Sequence, residues 1–301
     1  MTDKKTIELL EQKYIALGEN PETYMQGLLH TKPITYWDYI SVDTLLSLQK
    51  TRTNFKDEEI FILYHQVVEL LLKLVLHEIK QISLNDEITP SIMLEKIQRV
   101  NRYTTMLISS FDIMKDGMDY DDYNTFRASL TPASGFQSVQ FRYIELYCTR
   151  VTNLVCKRPF KPMPVNPTLQ DCIDNLYWKD AGYDRSTGKK SITLQLFEEK
   201  YIEEITRLAE NVVGKTVEER FSSFAGDNSE LQTQLRQFDR LYNIEWPLVH
   251  LNTAQHYLDS RNENKDATGG SEWKKYLHPK YQKRMFFPNL LSEEEKQNWG
   301  N

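Results

Sequence analysis

His65 lies within an apolar run, Phe61-Ile62-Leu63-Tyr64-His65-Gln66, with Phe61 and Ile62 one turn before it and Val68 one turn after. On a helix the imidazole emerges from an apolar face, where it can exchange a proton or a hydrogen bond with a ligand, or simply bond a neighbouring backbone group. His77 falls about 120° further round the same helix, so the two histidines do not share a metal. Tyr123 and Arg127, four residues apart, put a phenol and a guanidinium on one helical face. Such an Arg either clamps a carboxylate with two parallel hydrogen bonds or pairs with Asp121 or Asp122 at the surface. A third candidate is His250, which follows Trp246-Pro247-Leu248-Val249 on an apolar helix. A lone neutral imidazole there suits a haem iron, although most helical histidines coordinate nothing. His256 lies about 240° further round and cannot join it. The loop Ala267-Thr268-Gly269-Gly270-Ser271 offers hydroxyls and open amides, yet matches neither a phosphate-binding loop nor a dinucleotide fingerprint.

The elements that must position these groups read almost entirely as helix. Thr89 as cap and Pro90 at the first position open a helix whose stripe runs through Met93, Ile97, Val100, Thr104, Leu107, Phe111 and Met114. Asp57, Glu58 and Glu59 suit a helix start, and the stretch from Ile60 to Ile79 is apolar on almost every side, which predicts a fully surrounded core helix. Further helices are expected over Thr6 to Leu17, closed by Gly18, and over Gln137 to Tyr147, Thr168 to Trp178 and Thr193 to Val213. The last, Leu231 to Leu258, is interrupted by Pro247. The four prolines between Arg158 and Pro167 mark an extended connector, while Gly182 to Lys190 and Arg261 to Gly270 read as polar loops.

The 301 residues are 40% hydrophobic and 27% charged, as in a folded globular protein, and a net charge of -6 argues against a nucleic acid partner. The longest apolar stretch, Leu70 to Leu76, is broken by Lys73 and is too short for a membrane span. The N-terminal residues show no secretory pattern, so a cytoplasmic location is expected. Cys148, Cys156 and Cys172 form no metal or disulfide framework and read as buried thiols. An aromatic share of 12% suits a flat apolar ligand or an extensive interface.

Four blocks in order resemble the haem-dependent tryptophan 2,3-dioxygenase family, over about Ile34 to Pro288 and least between Arg150 and Glu230. They are Ile34-Thr35-Tyr36-Trp37-Asp38-Tyr39-Ile40 with Asp43-Thr44-Leu45-Leu46; Phe61 to Gln66; Tyr123-Asn124-Thr125-Phe126-Arg127 through Pro132-Ala133-Ser134-Gly135-Phe136-Gln137-Ser138; and Thr268-Gly269-Gly270-Ser271. The third is the most specific, because no packing rule demands that order. The chain departs from the family pattern where Glu69 precedes Leu70, Leu71 and Leu72, in a longer spacer after His250, and at Glu272-Trp273.

The resemblance implies one all-α domain over residues 1–301, a helical bundle enclosing one haem b per subunit, in an intertwined homotetramer. By the same resemblance His250 is the axial iron ligand, and Ser134 and Gly135 lie against the haem. His65 contacts the indole N-H, as a base or as a positioning donor. Phe61 packs on the indole, with Ile62, Leu63 and Tyr64 also in the substrate pocket; Arg127 grips the carboxylate beside Tyr123, and Thr268 helps hold the amino acid end. Tyr36, Tyr39 and Ile40, in the N-terminal segment 1–50, reach a neighbouring subunit. The implied reaction opens the indole of L-tryptophan with O2 to give N-formyl-L-kynurenine, the first step of the kynurenine pathway. A sister haem enzyme inserting one oxygen into a tryptophan derivative, a haem carrier without turnover and a cofactor-free bundle are the rival readings.

Overall fold

The first helical turns form where the sequence supplies a cap. In the computed structural model, which describes residues 3–259, 274 and 277–301, Asp3 caps α1 (Lys4–Ala16) and Asn20 caps α2 (Pro21–Leu28). Gly18, at a φ of 75°, closes α1, since a left-handed residue is needed there. With α3 (Tyr36–Tyr39) and α4 (Val42–Leu45), these make up a compact unit, Met1–Lys50. Tyr14 stacks on Tyr24 at 4.2 Å, but none of the unit's described residues is buried.

Thr51–Asn301 forms the second unit, organised around α5 (Asp57–Ser83). Near its start the buried Glu58 carboxylate accepts from the Arg52 and Thr53 amides at 2.7 and 2.8 Å, which sets where the chain enters. Its main neighbours are α6 (Pro90–Ser109) and α9 (Val139–Cys148). Tyr64, Leu72, Val75, Ile79 and Ile82 pack inward, while Leu63, Val67, Leu70 and Leu74 are 39 to 49% exposed. The expectation of a fully surrounded helix is thus corrected: the second apolar stripe stays exposed among the described residues. By length and composition α5 could cross a membrane, contrary to the shorter run read from the sequence. Within this fold it is the core helix, and the Glu78 carboxylate it buries is held by Lys96 at 3.1 Å and Arg99 at 3.4 Å.

In α6 the Thr89 hydroxyl caps the Ile92 amide, and Met93, Ile97, Val100, Thr104 and Leu107 are all buried. The stripe breaks at Ser110, however, where the Ser109 and Ser110 hydroxyls bond back to the Met106 and Leu107 carbonyls. Such local bonds compete with the helical ladder. Phe111 and Met114 therefore belong to a separate short helix, α7 (Phe111–Lys115), followed by α8 (Tyr120–Phe126).

Helix α10 (Leu169–Asp174) stops earlier than expected, and Tyr177–Gly182 continues as a 3-10 turn. The polar loop after it contains a small antiparallel hairpin, β1 (Tyr183–Asp184) and β2 (Lys189–Lys190). Beyond it come α11 (Ile192–Asn211), α12 (Val217–Ser222) and α13 (Ser229–Arg240), the last packed on α6. Between α13 and α14 (Trp246–Leu258) the break is a π-helical turn, Leu241–Glu245, ending just before Pro247. Proline has no N-H to give the carbonyl four residues back, and the wide turn absorbs that loss without stopping the helix. The carboxylate of Asp239 is buried and accepts from the Phe286 and Phe287 amides and from Asn243, anchoring the C-terminal segment to this junction. All three cysteines are buried free thiols.

Candidate active site

Phe61, Tyr64 and His65, spaced three and four residues apart on α5, face a cavity of about 530 Å³, with Glu69 one turn further on. From α8 and its C-cap, Tyr123 and Arg127 enter the same space, and Ser134 and Gly135 line it from the segment that follows. His250 comes from α14. Ile62 and Leu63 do not line the cavity; adjacent helical residues rotate by about 100°, so they turn away when Phe61 and His65 face in. Leu63 falls on the exposed stripe instead. Tyr36, Tyr39 and Ile40 are exposed in the N-terminal unit. Thr268 lies outside the described residues, with the whole Ala267–Ser271 loop.

The His65 Nδ1 lies 2.7 Å from the Phe61 carbonyl oxygen. A carbonyl only accepts, so Nδ1 carries the proton and, in the neutral ring, Nε2 is left as an acceptor. Burial lowers the His65 pKa from the usual imidazole range, and the Phe61 bond and the Glu69 charge only partly offset it. Burial also pulls His250 down, to about 4, with a smaller repulsive contribution from His65. The surface His250 exposes is cavity wall, and its ring makes no hydrogen bond among the described residues. It is a neutral imidazole with a nitrogen to give. Among the described residues no cluster of three or more His, Cys, Asp or Glu could hold a bare metal ion.

The aromatic wall is continuous. Phe61 lies 4.1 Å from the His65 ring and 6.0 Å from Tyr123, and Phe111 stands 5.4 Å from His250. Tyr123 is backed by Tyr257 at 4.3 Å, whose hydroxyl donates to the Met114 carbonyl at 2.5 Å and so ties α14 to α7. Burial raises the pKa of the Tyr123 phenol, while the adjacent Arg127 guanidinium, charged and hydrogen-bonded to it, pulls it back. Burial also holds Tyr257 up at about 12, so both phenols are neutral at pH 7.

The Ser138 hydroxyl, on the cavity wall, is buried without a hydrogen-bond partner among the described residues. A Cβ built on Gly135 would enter open space. Both leave room and polarity for a bound group opposite the apolar rings. Sequence reasoning missed Thr253, Ala254, Tyr257 and Leu258 as wall residues, although they stand three, four, seven and eight residues after His250, the spacing of one helical face. Phe111 and Met114 were read as core alone; they are core and wall at once.

These features define a class: an all-α protein whose core helix and a π-broken helix enclose an aromatic pocket, with an imidazole ready to coordinate and a guanidinium for an acid. The tryptophan 2,3-dioxygenase family model matches residues 26–156. A tryptophan 2,3-dioxygenase of Ruegeria sp. (strain TM1040) is 30% identical over 268 residues, covering 86% of this chain and 90% of the relative. Those of Bacillus thuringiensis subsp. konkukian (strain 97-27) and Bacillus cereus (strain ATCC 10987 / NRS 248) are 28% and 29% identical, each covering 93% of this chain and the relative's whole length. The chain belongs to the tryptophan 2,3-dioxygenase family.

Proposed function

We propose that this chain is a haem-dependent dioxygenase that cleaves the indole C2-C3 bond of L-tryptophan with O2, giving N-formyl-L-kynurenine at the entry to the kynurenine pathway. One observation supports it above the others: a single pocket joins a neutral, coordination-ready His250 to Arg127 across a wall of aromatic rings. The residues present fit a b-type haem, one per chain: His250 would hold its iron, and Ser134, Gly135 and Ser138 would line the space it takes. When bound, the haem supplies the redox-active iron at which O2 is activated.

The chain's own residues do the rest. Arg127 grips the tryptophan carboxylate, Tyr123 stands beside it, and Thr268 completes that end. Phe61 packs on the indole and the apolar wall excludes water, which strengthens each polar contact inside. With its Nδ1 proton engaged on Phe61, neutral His65 presents Nε2 to the indole N-H and holds the ring by accepting its hydrogen bond. Both oxygen atoms enter the product as the C2-C3 bond breaks.

A second copy of the chain completes this reading. The uncovered stripe Leu63, Val67, Leu70 and Leu74 and an N-terminal unit with no buried residue both call for a partner surface, and a homotetramer in which Tyr36, Tyr39 and Ile40 reach a neighbour's pocket supplies one. We place the enzyme in the cytoplasm, where its buried thiols stay reduced.

Mass spectrometry of the product formed from tryptophan under reducing conditions in air tests the reaction. A gain of two oxygen atoms is expected; a gain of one would assign the chain to mono-oxygenation instead. The purified protein should show a Soret band that is lost in His250→Ala and kept in His65→Ala. A colourless wild-type protein after haem reconstitution would exclude haem chemistry.

A further inference from the structure

On the far side of Ala181, Gly182 and Ser191, which line the active-site cavity, lies a second cavity of about 930 Å³. Seven of its lining side chains are cationic, against the two carboxylates of Asp180 and Asp184, in a chain whose net charge is -6. Its sign is therefore opposite to that of the molecule.

The acids within reach compensate only part of this charge, and Lys190 is paired with Glu198. Asp180 is taken by Arg185 at 2.8 Å. Asp184 turns back on its own loop, accepting from the Ser186 and Thr187 hydroxyls at 2.6 Å each, bonds that hold its carboxyl down at about 2. Arg284 is directed to Glu145 at 3.1 Å and to the Tyr177 hydroxyl at 2.9 Å. Among the described residues Lys157, Arg158 and Lys189 make no ion pair, and Lys283 donates only to the Gln297 carbonyl, at 2.6 Å, which leaves its charge uncompensated.

The cations are also placed, not merely frequent. The Arg185 guanidinium donates to the Arg158 carbonyl at 2.7 Å, fastening the Lys157–Arg158 segment to the hairpin. Lys283 sits at a φ of 43°, a left-handed conformation that strains a residue with a side chain. The surrounding turn holds it there through its amide on Pro279 and through the Trp299 indole N-H on the Arg284 carbonyl, both at 2.7 Å. Partial burial and the facing Lys283 ammonium lower the Lys157 pKa, so two like charges are held together across the opening. Like charges gathered at one opening are relieved by a bound anion.

We propose that this second cavity binds a small polyanion, carrying two or more phosphate or carboxylate groups, between Lys157 and Arg158 on one side, Lys189 on the hairpin and Lys283 on the C-terminal turn. The acidic remainder of the chain favours a small anion over a nucleic acid backbone.

Calorimetric titration of the full-length protein with inorganic pyrophosphate and, separately, with citrate, at ionic strength held constant with NaCl, tests the proposal. Saturable binding of at least one probe at one equivalent per chain is expected, and the better probe tells phosphate from carboxylate chemistry. The Lys157→Gln/Lys283→Gln double variant should bind at least tenfold more weakly. Should that variant misfold by circular dichroism, Arg158→Gln/Lys189→Gln, both at exposed positions, serves instead and should show the same loss. Absence of saturable binding by either probe, or equal affinity in the folded variant, would overturn the assignment.

Discussion

A zwitterion is gripped by charge at one end and by shape at the other, and the proposed function gives Arg127 the charge. Because Arg127 lies beside the half-buried Tyr123 on the wall of an aromatic pocket, removing it would leave a substrate carboxylate without its cation. Arg127→Ala should cost roughly 2 to 5 kcal/mol of tryptophan binding, seen as a raised KM with the Soret band intact. An unchanged KM would sink that role. His65 leads to a pH prediction. Its pKa is lowered by burial, so the neutral ring with Nε2 free as acceptor persists below the usual imidazole range. As pH falls through the lowered pKa, Nε2 gains a proton and becomes a donor. The low-pH limb of kcat/KM should thus lie below about 6.5, the unperturbed value, and vanish in His65→Ala. At this scale the sequence was informative where spacing alone sufficed: Phe61 and His65, or Tyr123 and Arg127, share a face because they are four apart. It was silent on the Nδ1 bond to Phe61, which supports the bland reading of His65 and defines its free nitrogen together.

What an element contributes is register. The π turn Leu241–Glu245 inserts an extra residue ahead of Pro247 and so sets the rotation at which α14 delivers His250 to the cavity. Deleting Ile244 should close the π turn to α geometry and so change the rotation and rise with which α14 presents His250. Far-ultraviolet dichroism should report a protein still helical, while haem titration shows the Soret band gone or strongly shifted; a normal spectrum would mean that the turn does not set the register. Most helices were legible in advance, because caps such as Thr89 and the period-3.6 stripe of α6 act locally. The break at Ser110 was not, since Phe111 and Met114 continue the stripe's spacing, and only hydroxyl-to-carbonyl bonds at Ser109 and Ser110 divide it. Pro247 signalled an interruption, but not that a wider turn would absorb it.

For the whole molecule, the decisive fact is an apolar stripe on α5 that stays exposed among the described residues. Leu63, Val67, Leu70 and Leu74 recur at four, three and four residues along α5, the spacing with which one helix packs against another. In the sequence, these residues are not told apart from the inward face, because both are apolar; hence α5 reads as surrounded on every side. Only the fold separates the stripe covered by α6 and α9 from the one left bare. Removing such side chains from water stabilises an assembly by about 25 cal/mol per Å² of apolar surface, and a carboxylate placed among them would have to be buried without a partner. If the proposed homotetramer uses this stripe, Val67→Glu/Leu70→Glu is expected to lower the sedimenting mass relative to the wild type. Because both positions are exposed in the single chain, its helical content should be kept. Sedimentation velocity at matched concentration separates the outcomes. A smaller species with an intact far-ultraviolet spectrum places the contact on this stripe, whereas an unchanged oligomer would show that assembly uses another surface and leaves the stripe in water.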